Sequence, residues 1–365
     1  MISKTPNPHQ QVMDQALALA RKGLYTTMPN PRVGCVLVNK GLVVGQGWHE
    51  HTGEAHAEVR ALQEAGTKAR GATAYVTLEP CSHMGRTPPC ADALIKAGVV
   101  HVVVAMQDPN PKVAGAGIAR LRAAGITVEV GIGAEEAREL NIGFVSRMTR
   151  GQPWVRSKVA MSLDGRTALG NGVSQWITGA EARADGHHLR ARSCAMLTGA
   201  GTVRQDDPAL TVRHVKTNRQ PLRIVVDNKC EAPAKSQVFN GGHALLVTVT
   251  GDAPRIQEYE ARGVEVLVMA PGKSGRVDFK ALLQLLGARG FNEITVEAGS
   301  RLNGALLEAG VIDEWVIYVA PTLLGEGAAG VVQGTPLTAL AQRSDLTIMS
   351  VMSFGNDLRI VARSI

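Results

Sequence analysis

The sequence predicts two consecutive α/β domains. The chain has 365 residues, which exceeds the usual size of a single domain. Apolar, strand-like segments alternate with single helical segments along most of its length, as they do in α/β folds. A short stretch that contains Gly and Pro, GQPW at 151–154, interrupts this alternation. We therefore expect one domain over residues 1–150 and a second over residues 151–365.

The first half begins with a helix and then alternates strands with helices. Asn7 and Pro8 are typical of a helix start, and Gly23 is typical of a helix end. Lys40-Gly41 separates two apolar runs and predicts a hairpin. A sheet covered by helices, in three α/β/α layers, is the expected result. Further helices are expected at 55–65, 90–98, 117–125 and 134–151, and strands at 72–79 and 99–106.

The second half continues the alternation without repeating a motif of the first. It starts with a strand in WVRSKVAMSLDG (154–165), followed by a helix in AEARADGHHLRARS (180–193). The remaining strands are expected in CAMLTGA (194–200), LRIVVDN (222–228), ALLVTVT (244–250), VEVLVMA (264–270), ITVEAG (294–299) and WVIYVAP (315–321).

Composition narrows the class of protein. Apolar residues make up 45% and charged residues 19%, which is ordinary for a globular protein. The net charge is +7, but the basic residues are scattered, and five Phe and four Tyr offer little surface for stacking bases. We expect small anionic substrates rather than nucleic acid. No run of residues predicts a membrane span or a secretion signal, so a cytoplasmic protein with no membrane partner is expected.

Five cysteines, an odd number in a long chain, favour a metal site over a disulfide framework. His56 stands two residues before Glu58 at a helix start, Pro80-Cys81 follows a strand, and Cys90 opens the next helix. Hydrolytic deamination requires a divalent metal that makes hydroxide and a carboxylate that moves protons. This order of residues matches the zinc deaminase pattern, with His56, Cys81 and Cys90 as ligands and Glu58 as the proton carrier.

Other interpretations of these residues stay open at this point. A His-x-Glu pair is also common at the exposed end of an ordinary helix, and cysteines often serve as small core residues. The usual pattern places two residues between its cysteines, whereas eight separate Cys81 from Cys90. His83 is then a competing third ligand, because imidazole also binds zinc well. We prefer Cys90.

Long motifs in both halves resemble the bifunctional deaminase–reductases of riboflavin biosynthesis. In the first half they are TTMPNPRVGCV (26–36), GEAHAEV (53–59), TLEPCSHMGRTPPC (77–90) and MQDPNPKVAGAG (106–117). In the second half they are KVAMSLDGRTAL (158–169), SQWITG (174–179), LRARS (189–193), GTVRQDDPALTVR (201–213) and VEAGSRLNGALLEAGVIDE (296–314). The long spacing between the cysteines is normal in that family.

The resemblance implies a fold, two cofactors and two reactions. A cytidine-deaminase-like domain would hold one zinc ion on His56, Cys81 and Cys90, and a dihydrofolate-reductase-like domain would bind NADPH. The first domain would deaminate 2,5-diamino-6-(5-phosphoribosylamino)pyrimidin-4-one. The second would reduce the ribosyl group and give 5-amino-6-(5-phosphoribitylamino)uracil. The expected partner is thus a small phosphorylated pyrimidine, and a homo-oligomer is expected.

The resemblance also assigns site residues by matching motifs. In the first domain, Asn30 and His49 would contact substrate, although His49, Glu50 and His51 could equally be exposed loop residues. The residues assigned to NADPH are Ala160, Trp176, Thr202, Asp206, Asn228, Gly299, Ser300, Arg301, Leu302, Asn303, Gly304 and Ala305. Those assigned to the substrate of the second domain are Ser174, Arg190, Leu210, Arg213 and Glu297.

Elementary chemistry supports part of this assignment. The strand–Gly–helix unit at 294–305 can present backbone N–H groups to a phosphate, but it lacks the Gly-x-Gly-x-x-Gly pattern of a Rossmann domain. The guanidinium groups of Arg190 and Arg213 can each bind a phosphate through two parallel, charge-assisted hydrogen bonds. Without the resemblance, Trp176 would be assigned to the core, and a position on the solvated surface stays open as the alternative for the two arginines.

Overall fold

The computed structural model describes residues 8–82, 88–111 and 113–365. The chain divides into two compact units, Met1–Gly151 and Gln152–Ile365. We call these the first unit and the second unit and describe each by itself.

The first unit is a five-stranded sheet between two layers of helices, among its described residues. Its helices are α1 (Pro8–Lys22), α2 (Ala57–Ala65), α3 (Cys90–Ala97), α4 (Ala116–Ala123), α5 (Ala134–Leu140) and α6 (Ile142–Arg150). Its strands are β1 (Gly34–Asn39), β2 (Leu42–Trp48), β3 (Thr73–Val76), β4 (His101–Val104) and β5 (Thr127–Val130). The strand order is β2-β1-β3-β4-β5, in which β3, β4 and β5 are parallel and β1 is antiparallel to both its neighbours.

A separate apolar cluster fills each side of this sheet. On one side, residues of α2, α3 and α4 pack against the strands, and on the other side α1, α5 and α6 do so. The hairpin of β1 and β2 turns at Lys40-Gly41, where both residues have positive φ values of 51° and 78°. The three-layer α/β/α arrangement is confirmed.

Helix α2 lies unusually close to strand β2 because both are built from small residues where they meet. Gly45 and Gly47 of the strand face Ala57 and Ala61 of the helix. A Cβ atom on Gly47 would lie 2.6 Å from the Ala57 carbonyl oxygen, and one on Gly45 would lie 2.2 Å from that of Ala61. Only glycine permits this approach, which fixes where the first turn of α2 stands.

The second unit is built on one large sheet with a small two-stranded sheet beside it. Its helices are α7 (Ala180–Arg192), α8 (Ala200–Asp206), α9 (Ala253–Glu260), α10 (Phe279–Ala288) and α11 (Ser300–Glu308). Its strands are β6 (Trp154–Ser162), β7 (Arg166–Ala168), β8 (Ala195–Gly199), β9 (Leu222–Val226), β10 (Ala244–Thr248), β11 (Glu265–Val268), β12 (Glu293–Val296), β13 (Glu314–Ala320), β14 (Ala329–Gly330), β15 (Leu346–Phe354) and β16 (Asp357–Ser364).

The large sheet has the order β11-β10-β9-β8-β12-β6-β13-β16-β15. Its strands from β11 to β13 are parallel, and β16 is antiparallel to both β13 and β15. The main apolar cluster of the unit lies against the parallel strands and includes α10 and α11. The carboxyl ends of parallel strands share one edge of a sheet, which is where ligands of such folds bind.

Several elements differ from the sequence prediction. The structure also has strand β5, helices α8, α9 and α10, and the short strands β7 and β14, none of which was predicted. The helix expected at 134–151 is two helices, because Asn141 breaks it and uses its side-chain amide to bond both the N–H and the carbonyl of Arg32, at 2.8 and 3.0 Å. The hairpin of β15 and β16 was not predicted. Its turn at Gly355-Asn356 is a recognisable hairpin signal between two apolar runs.

None of the helices in the described residues has the length and apolar character that crossing a membrane requires.

Candidate active sites

Local structure brings the three predicted metal ligands of the first unit together. His56 is the N-cap residue immediately before α2, with an extended backbone (φ −72°, ψ 164°), and Cys90 is the first residue of α3. Cys81 lies in the segment after β3. The N–H of Ala91 donates to the Cys81 carbonyl at 3.1 Å, which joins that segment to the start of α3.

The carboxylate of Glu79 anchors the segment that carries Cys81. Glu79 is buried, and its two oxygens accept hydrogen bonds from backbone N–H groups at distances from 2.8 to 3.2 Å. The donors are Asp108, Gly115, Gly117 and Ile118. Glu79 stands two positions before Cys81 in the motif TLEPC, but its role was not predicted from the sequence.

The ligand atoms of His56, Cys81 and Cys90, which we call the three-donor cluster, all lie within 4.8 Å of one another. His56 Nδ1 is 3.2 Å from the Cys90 sulfur and 3.6 Å from the Cys81 sulfur. The N–H of Cys90 donates to the Cys81 sulfur at 3.3 Å. One imidazole and two thiols at this spacing are the donor types that zinc prefers, so these residues fit zinc.

The thiols of the cluster differ in their pKa values. Hydrogen bonds from Cys90 and, more weakly, from His56 lower the pKa of Cys81 to about 4, although burial opposes the change. The hydrogen bond to Cys81, together with burial, raises the pKa of Cys90 above its usual range. The pKa of His56 is raised, chiefly by its hydrogen bond with Cys81. The lowered pKa of Cys81 favours the thiolate, which is the form that binds metal.

Glu58 lies in the first turn of α2, beside the three-donor cluster, and is 3% exposed. Burial and the negative charge of Cys81 raise its pKa to about 7, while His56 opposes the shift. Its carboxyl group hydrogen-bonds with Cys90. A carboxyl group with a pKa near neutral pH can both accept and donate a proton there, as general acid–base catalysis requires.

Asn30 and His49 lie next to the same cluster. The Asn30 amide nitrogen is 3.1 Å from His49 Nε2, and the His49 ring makes an edge contact with the His56 ring at 5.4 Å between centroids. His49 is 3% exposed, so the interpretation of this residue as an exposed loop residue is wrong. Burial lowers its pKa. The competing ligand His83 lies outside the described residues.

The neighbouring acidic residues do not extend the site. Glu50, His51 and Glu54 are close enough to share a cation, but Arg60 pairs with Glu50 at 3.1 Å and with Glu54 at 2.8 Å. This group is a partly exposed ion-pair network at the edge of the first unit.

A cavity of about 510 Å³ in the second unit contains most of the residues predicted to bind there. We call it the second-unit cavity. All five predicted substrate residues line it, namely Ser174, Arg190, Leu210, Arg213 and Glu297. Six of the predicted NADPH residues also line it, namely Ala160, Trp176, Thr202, Asp206, Gly299 and Ser300. The volume is typical of ligand pockets.

Arg190 and Glu297 form a two-point ion pair in the wall of this cavity. Arg190 Nε and Nη2 donate to the two Glu297 oxygens at 2.7 and 2.8 Å. Burial alone would raise the pKa of Glu297, but Arg190 and Lys158 outweigh it and hold the pKa at about 2. The Arg190 guanidinium therefore uses Nε and Nη2 to bind a carboxylate of the protein, whereas it was predicted to bind a substrate phosphate. Lys158 lines the cavity as well, and sequence analysis did not single it out.

Trp176 stands at the surface rather than in the core. It is 68% exposed, and the Arg183 guanidinium lies over its ring at 4.7 Å from the centroid. The assignment of Trp176 to the core is therefore wrong. An exposed indole beside a cavity offers a flat apolar face to a ligand.

Two further contacts connect predicted residues across the second-unit cavity. Ser174 Oγ donates to Asp206 at 3.2 Å. The N–H of Gly299 donates to Thr202 Oγ1 at 3.1 Å, where α11 begins. The start of this helix faces the cavity, and helix starts favour phosphate groups.

The remaining predicted NADPH residues do not line the second-unit cavity. Asn228 accepts a hydrogen bond from the Val277 N–H at 2.9 Å. Asn303 is buried, accepts from Ser157 at 3.1 Å, and lies next to Gly304, whose Cβ would meet the Gln333 carbonyl oxygen at 2.0 Å. The residues outside the lining are Asn228, Arg301, Leu302, Asn303, Gly304 and Ala305.

Comparisons with known proteins agree with both sites. The model of the RibD C-terminal domain matches residues 153–360, and that of the cytidine and deoxycytidylate deaminase zinc-binding region matches residues 6–106. The riboflavin biosynthesis protein RibD of Escherichia coli K12 is 47% identical over 359 residues, covering 95% of this chain and 96% of that protein. The chain belongs to the RibD family.

Solved RibD structures share the fold over nearly the whole chain. Acinetobacter baumannii RibD, form 1, has a TM-score of 0.90 at 44% identity and covers 98% of this chain and 99% of that one. A deaminase/reductase from Thermotoga maritima has a TM-score of 0.87 at 32% identity, with the same coverage. The predicted family, the α/β fold of both units and the bifunctional activity are therefore confirmed.

As a RibD family member, the protein is a bifunctional deaminase and reductase of riboflavin biosynthesis. Its cofactors are zinc and NADPH, as predicted. The donor set of the three-donor cluster fits zinc. The second-unit cavity, with an exposed indole and a helix start on its lining, fits a ligand that has both a flat ring and phosphate groups.

Proposed function

We propose that the first unit deaminates 2,5-diamino-6-(5-phosphoribosylamino)pyrimidin-4-one and that the second unit reduces the ribosyl group to ribityl, giving 5-amino-6-(5-phosphoribitylamino)uracil. Residues 1–150 carry the first reaction and residues 151–365 the second. The observation that carries this proposal is the three-donor cluster with the buried Glu58 against it. The Thermotoga maritima relative, which is named for a deaminase and a reductase of these pyrimidines, supports the choice of substrate.

In the deamination, water replaces the ring amino group, which leaves as ammonia. When bound, zinc makes hydroxide available near neutral pH. His56, Cys81 and Cys90 would hold it. Glu58 takes a proton from water and delivers it to the leaving amine, because its raised pKa lets it do both.

Asn30 and His49 orient the substrate beside Glu58. Both ring nitrogens of His49 are engaged, Nε2 with the Asn30 amide at 3.1 Å and Nδ1 with the Ala55 carbonyl at 3.3 Å, so the buried ring fixes the Asn30 side chain.

In the reduction, one hydride and one proton convert the open carbonyl form of the ribosyl group to an alcohol. When bound, NADPH supplies the hydride. The NADPH side of the second-unit cavity is formed by Ala160, Trp176, Thr202, Asp206, Gly299 and Ser300. The proposed NADPH site also includes six residues that do not line the cavity, namely Asn228, Arg301, Leu302, Asn303, Gly304 and Ala305.

The substrate side of the second-unit cavity consists of Ser174, Leu210, Arg213 and Glu297. Arg190 binds Glu297 rather than the phosphate, because its Nε and Nη2 both donate to the Glu297 carboxylate. Arg213 is exposed on the cavity lining, which suits a cation that binds the substrate phosphate.

The proposed partner is this small phosphorylated pyrimidine, with no nucleic acid or membrane partner. The cavity is of small-molecule size, and the cysteines of the chain are free thiols, as expected of a cytoplasmic protein.

A homo-oligomer completes the proposal. The edge strand β15 carries no charge and exposes Ile348, Met349, Val351 and Met352 at 49% to 63%. Natural edge strands usually carry charges that prevent pairing, so this edge fits a second copy of the chain. Ile348→Lys should give monomers by sedimentation, and wild-type monomers at micromolar concentration would contradict the proposal.

A coupled assay tests the two reactions. The pyrimidine nucleotide is incubated with NADPH, and ammonia release and NADPH oxidation are followed in the same sample. Equal amounts of both products, with ammonia appearing first, support the proposal. NADPH oxidation without ammonia, or ammonia release only from nucleosides that lack phosphate, would refute the assignment of substrate.

A further inference from the structure

The loop between α8 and β9 forms one side of the second-unit cavity and has an unusual backbone. It spans 207–221 and contains no helix or strand. Loops of this length without helix or strand are uncommon in a compact domain, and those that are ordered are often functional. Three of its non-glycine residues have positive φ, namely Asp207 at 40°, Leu210 at 50° and His214 at 31°. Such a backbone is strained for a bulky residue like Leu210 and must be held by its surroundings.

Three successive residues between Leu210 and His214 are each held by a different side chain, two of them from α7 and one from the end of the same loop. Arg190 Nη1 donates to the Thr211 carbonyl at 3.0 Å. The Gln220 side-chain amide binds both backbone polar groups of Val212. Its Oε1 accepts from the Val212 N–H at 2.7 Å, and its Nε2 donates to the Val212 carbonyl at 3.2 Å.

The third contact is made by a buried histidine of α7. His187 is 5% exposed, and its Nδ1 accepts the backbone N–H of Arg213 at 3.0 Å. Its ring also makes an edge contact with the His214 ring at 4.9 Å between centroids. Burial and the charges of Arg190 and Arg213 lower the pKa of His187 to about 4, so the ring is neutral and keeps a nitrogen free to accept.

We propose that His187 and Gln220 are positioning residues of the reductase, which hold the strained backbone at Val212 and Arg213 so that the Arg213 side chain faces the substrate phosphate. Neither residue lines the second-unit cavity. They act through Arg213, and the inference rests on the proposed role of Arg213 in phosphate binding.

The two residues have different consequences when changed. Loss of His187 Nδ1 leaves the backbone N–H of Arg213 without its hydrogen-bond acceptor. The loop is then less restrained next to the Arg213 guanidinium. Loss of Gln220 releases Val212 only, and Gln220 is exposed, so its replacement leaves the core unchanged. Both changes affect recognition of the phosphorylated substrate but not the NADPH side of the cavity, which is built from α8, α11 and the Trp176 segment.

The test uses the full-length enzyme and steady-state reductase kinetics with the phosphorylated pyrimidine. His187→Phe keeps the ring and its bulk but removes the acceptor. We expect its KM for this substrate to rise roughly tenfold or more, with the KM for NADPH within about twofold of wild type. His187→Asn, whose side-chain oxygen can replace Nδ1, should restore most of the loss. The same change at the exposed neighbour, His188→Phe, is the matched control.

Gln220→Met provides an independent test that does not disturb the core, with the exposed Gln257→Met as its control. It should raise the KM for the phosphorylated substrate in the same selective way. An unchanged KM in both variants, equal effects on NADPH and substrate, or no recovery in His187→Asn would overturn the inference.

Arg213→Ala separates this inference from the proposed function. If Arg213→Ala leaves the substrate KM unchanged, the phosphate-binding role itself is wrong. If it raises that KM while His187→Phe and Gln220→Met do not, only the positioning inference fails.

Discussion

Glu297 is held in its ionised form by Arg190, which meets both of its carboxylate oxygens at 2.7 and 2.8 Å in the wall of the second-unit cavity. The same guanidinium reaches the backbone of Thr211 at 3.0 Å. One side chain thus connects helix α7, the end of strand β12 and the 207–221 loop. Removing it should affect both the charge in the cavity and the shape of the cavity wall.

Arg190→Ala should lower the stability of the second unit by about 3 kcal/mol, because it leaves the Glu297 charge buried without its partner. Urea unfolding measures the change. Arg289→Ala, which breaks the exposed pair with Glu265, is the control and should lose less than about 1 kcal/mol. Equal losses of unfolding free energy in the two variants would show that the buried ion pair contributes no more to stability than the exposed one.

Acid should weaken the fold through Glu297. Its pKa falls from 4.5 to about 2 on folding, so its contribution is fully present above pH 4.5 and is lost as the pH falls towards 2. The contribution at neutral pH is about 3 kcal/mol. The difference in unfolding free energy between wild type and Glu297→Gln should therefore shrink from about pH 5 to about pH 2, the range set by these two pKa values. A difference that is constant over this range contradicts the low pKa.

Glu58→Gln should abolish deamination, with a loss of at least about a hundredfold in kcat, because the amide cannot carry the proton. Zinc content and NADPH-dependent reduction should be unchanged. Ammonia release, metal analysis and reductase assays on one preparation check this. Loss of zinc from the variant would mean that Glu58 is a ligand.

Arg213→Ala should raise the reductase KM for the phosphorylated substrate by roughly tenfold or more, since one charge-assisted contact to phosphate is lost. The KM for NADPH should stay within about twofold. Parallel assays at varied substrate and varied NADPH separate the two effects. Equal damage to both would reject the assignment of Arg213 to phosphate.

Gly47→Ala should damage the deaminase without touching the reductase. The added Cβ would lie 2.6 Å from the carbonyl oxygen of Ala57, the residue next to His56, so helix α2 must shift. We expect lower zinc content and at least about tenfold lower deaminase activity, as for other misplaced catalytic groups. Gly251→Ala, with no atom within 4 Å of its added Cβ, is the control.

The sequence predicted most of the first unit because its strands are apolar and because helices α2, α3 and α6 each end at a glycine. It also predicted that His56, Cys81 and Cys90 lie together, since His56 and Cys90 stand at helix starts and Cys81 lies in the segment that follows a strand. The break at Asn141 escaped prediction, because it depends on hydrogen bonds to Arg32, more than a hundred residues away.

The supporting residues of both sites were missed for the same reason. Glu79, His187 and Gln220 act on backbone groups that become neighbours only in the folded chain. Arg190 was expected to grip phosphate, whereas its partner in the fold is Glu297. A sequence shows which side chains carry charge, but it does not show which of them face each other.

The close approach of α2 to β2 has a consequence for the deaminase under changing conditions. Where Gly45 and Gly47 meet Ala57 and Ala61, the contacting atoms are backbone groups and Cβ atoms, which do not titrate. The charged contacts of α2 lie further along the helix, where Glu64 accepts from the Gln46 N–H and Arg60 pairs with Glu50 and Glu54. Acid and salt therefore act first on the later turns of α2, whereas the turn that carries Glu58 is seated by a steric contact that neither of them changes.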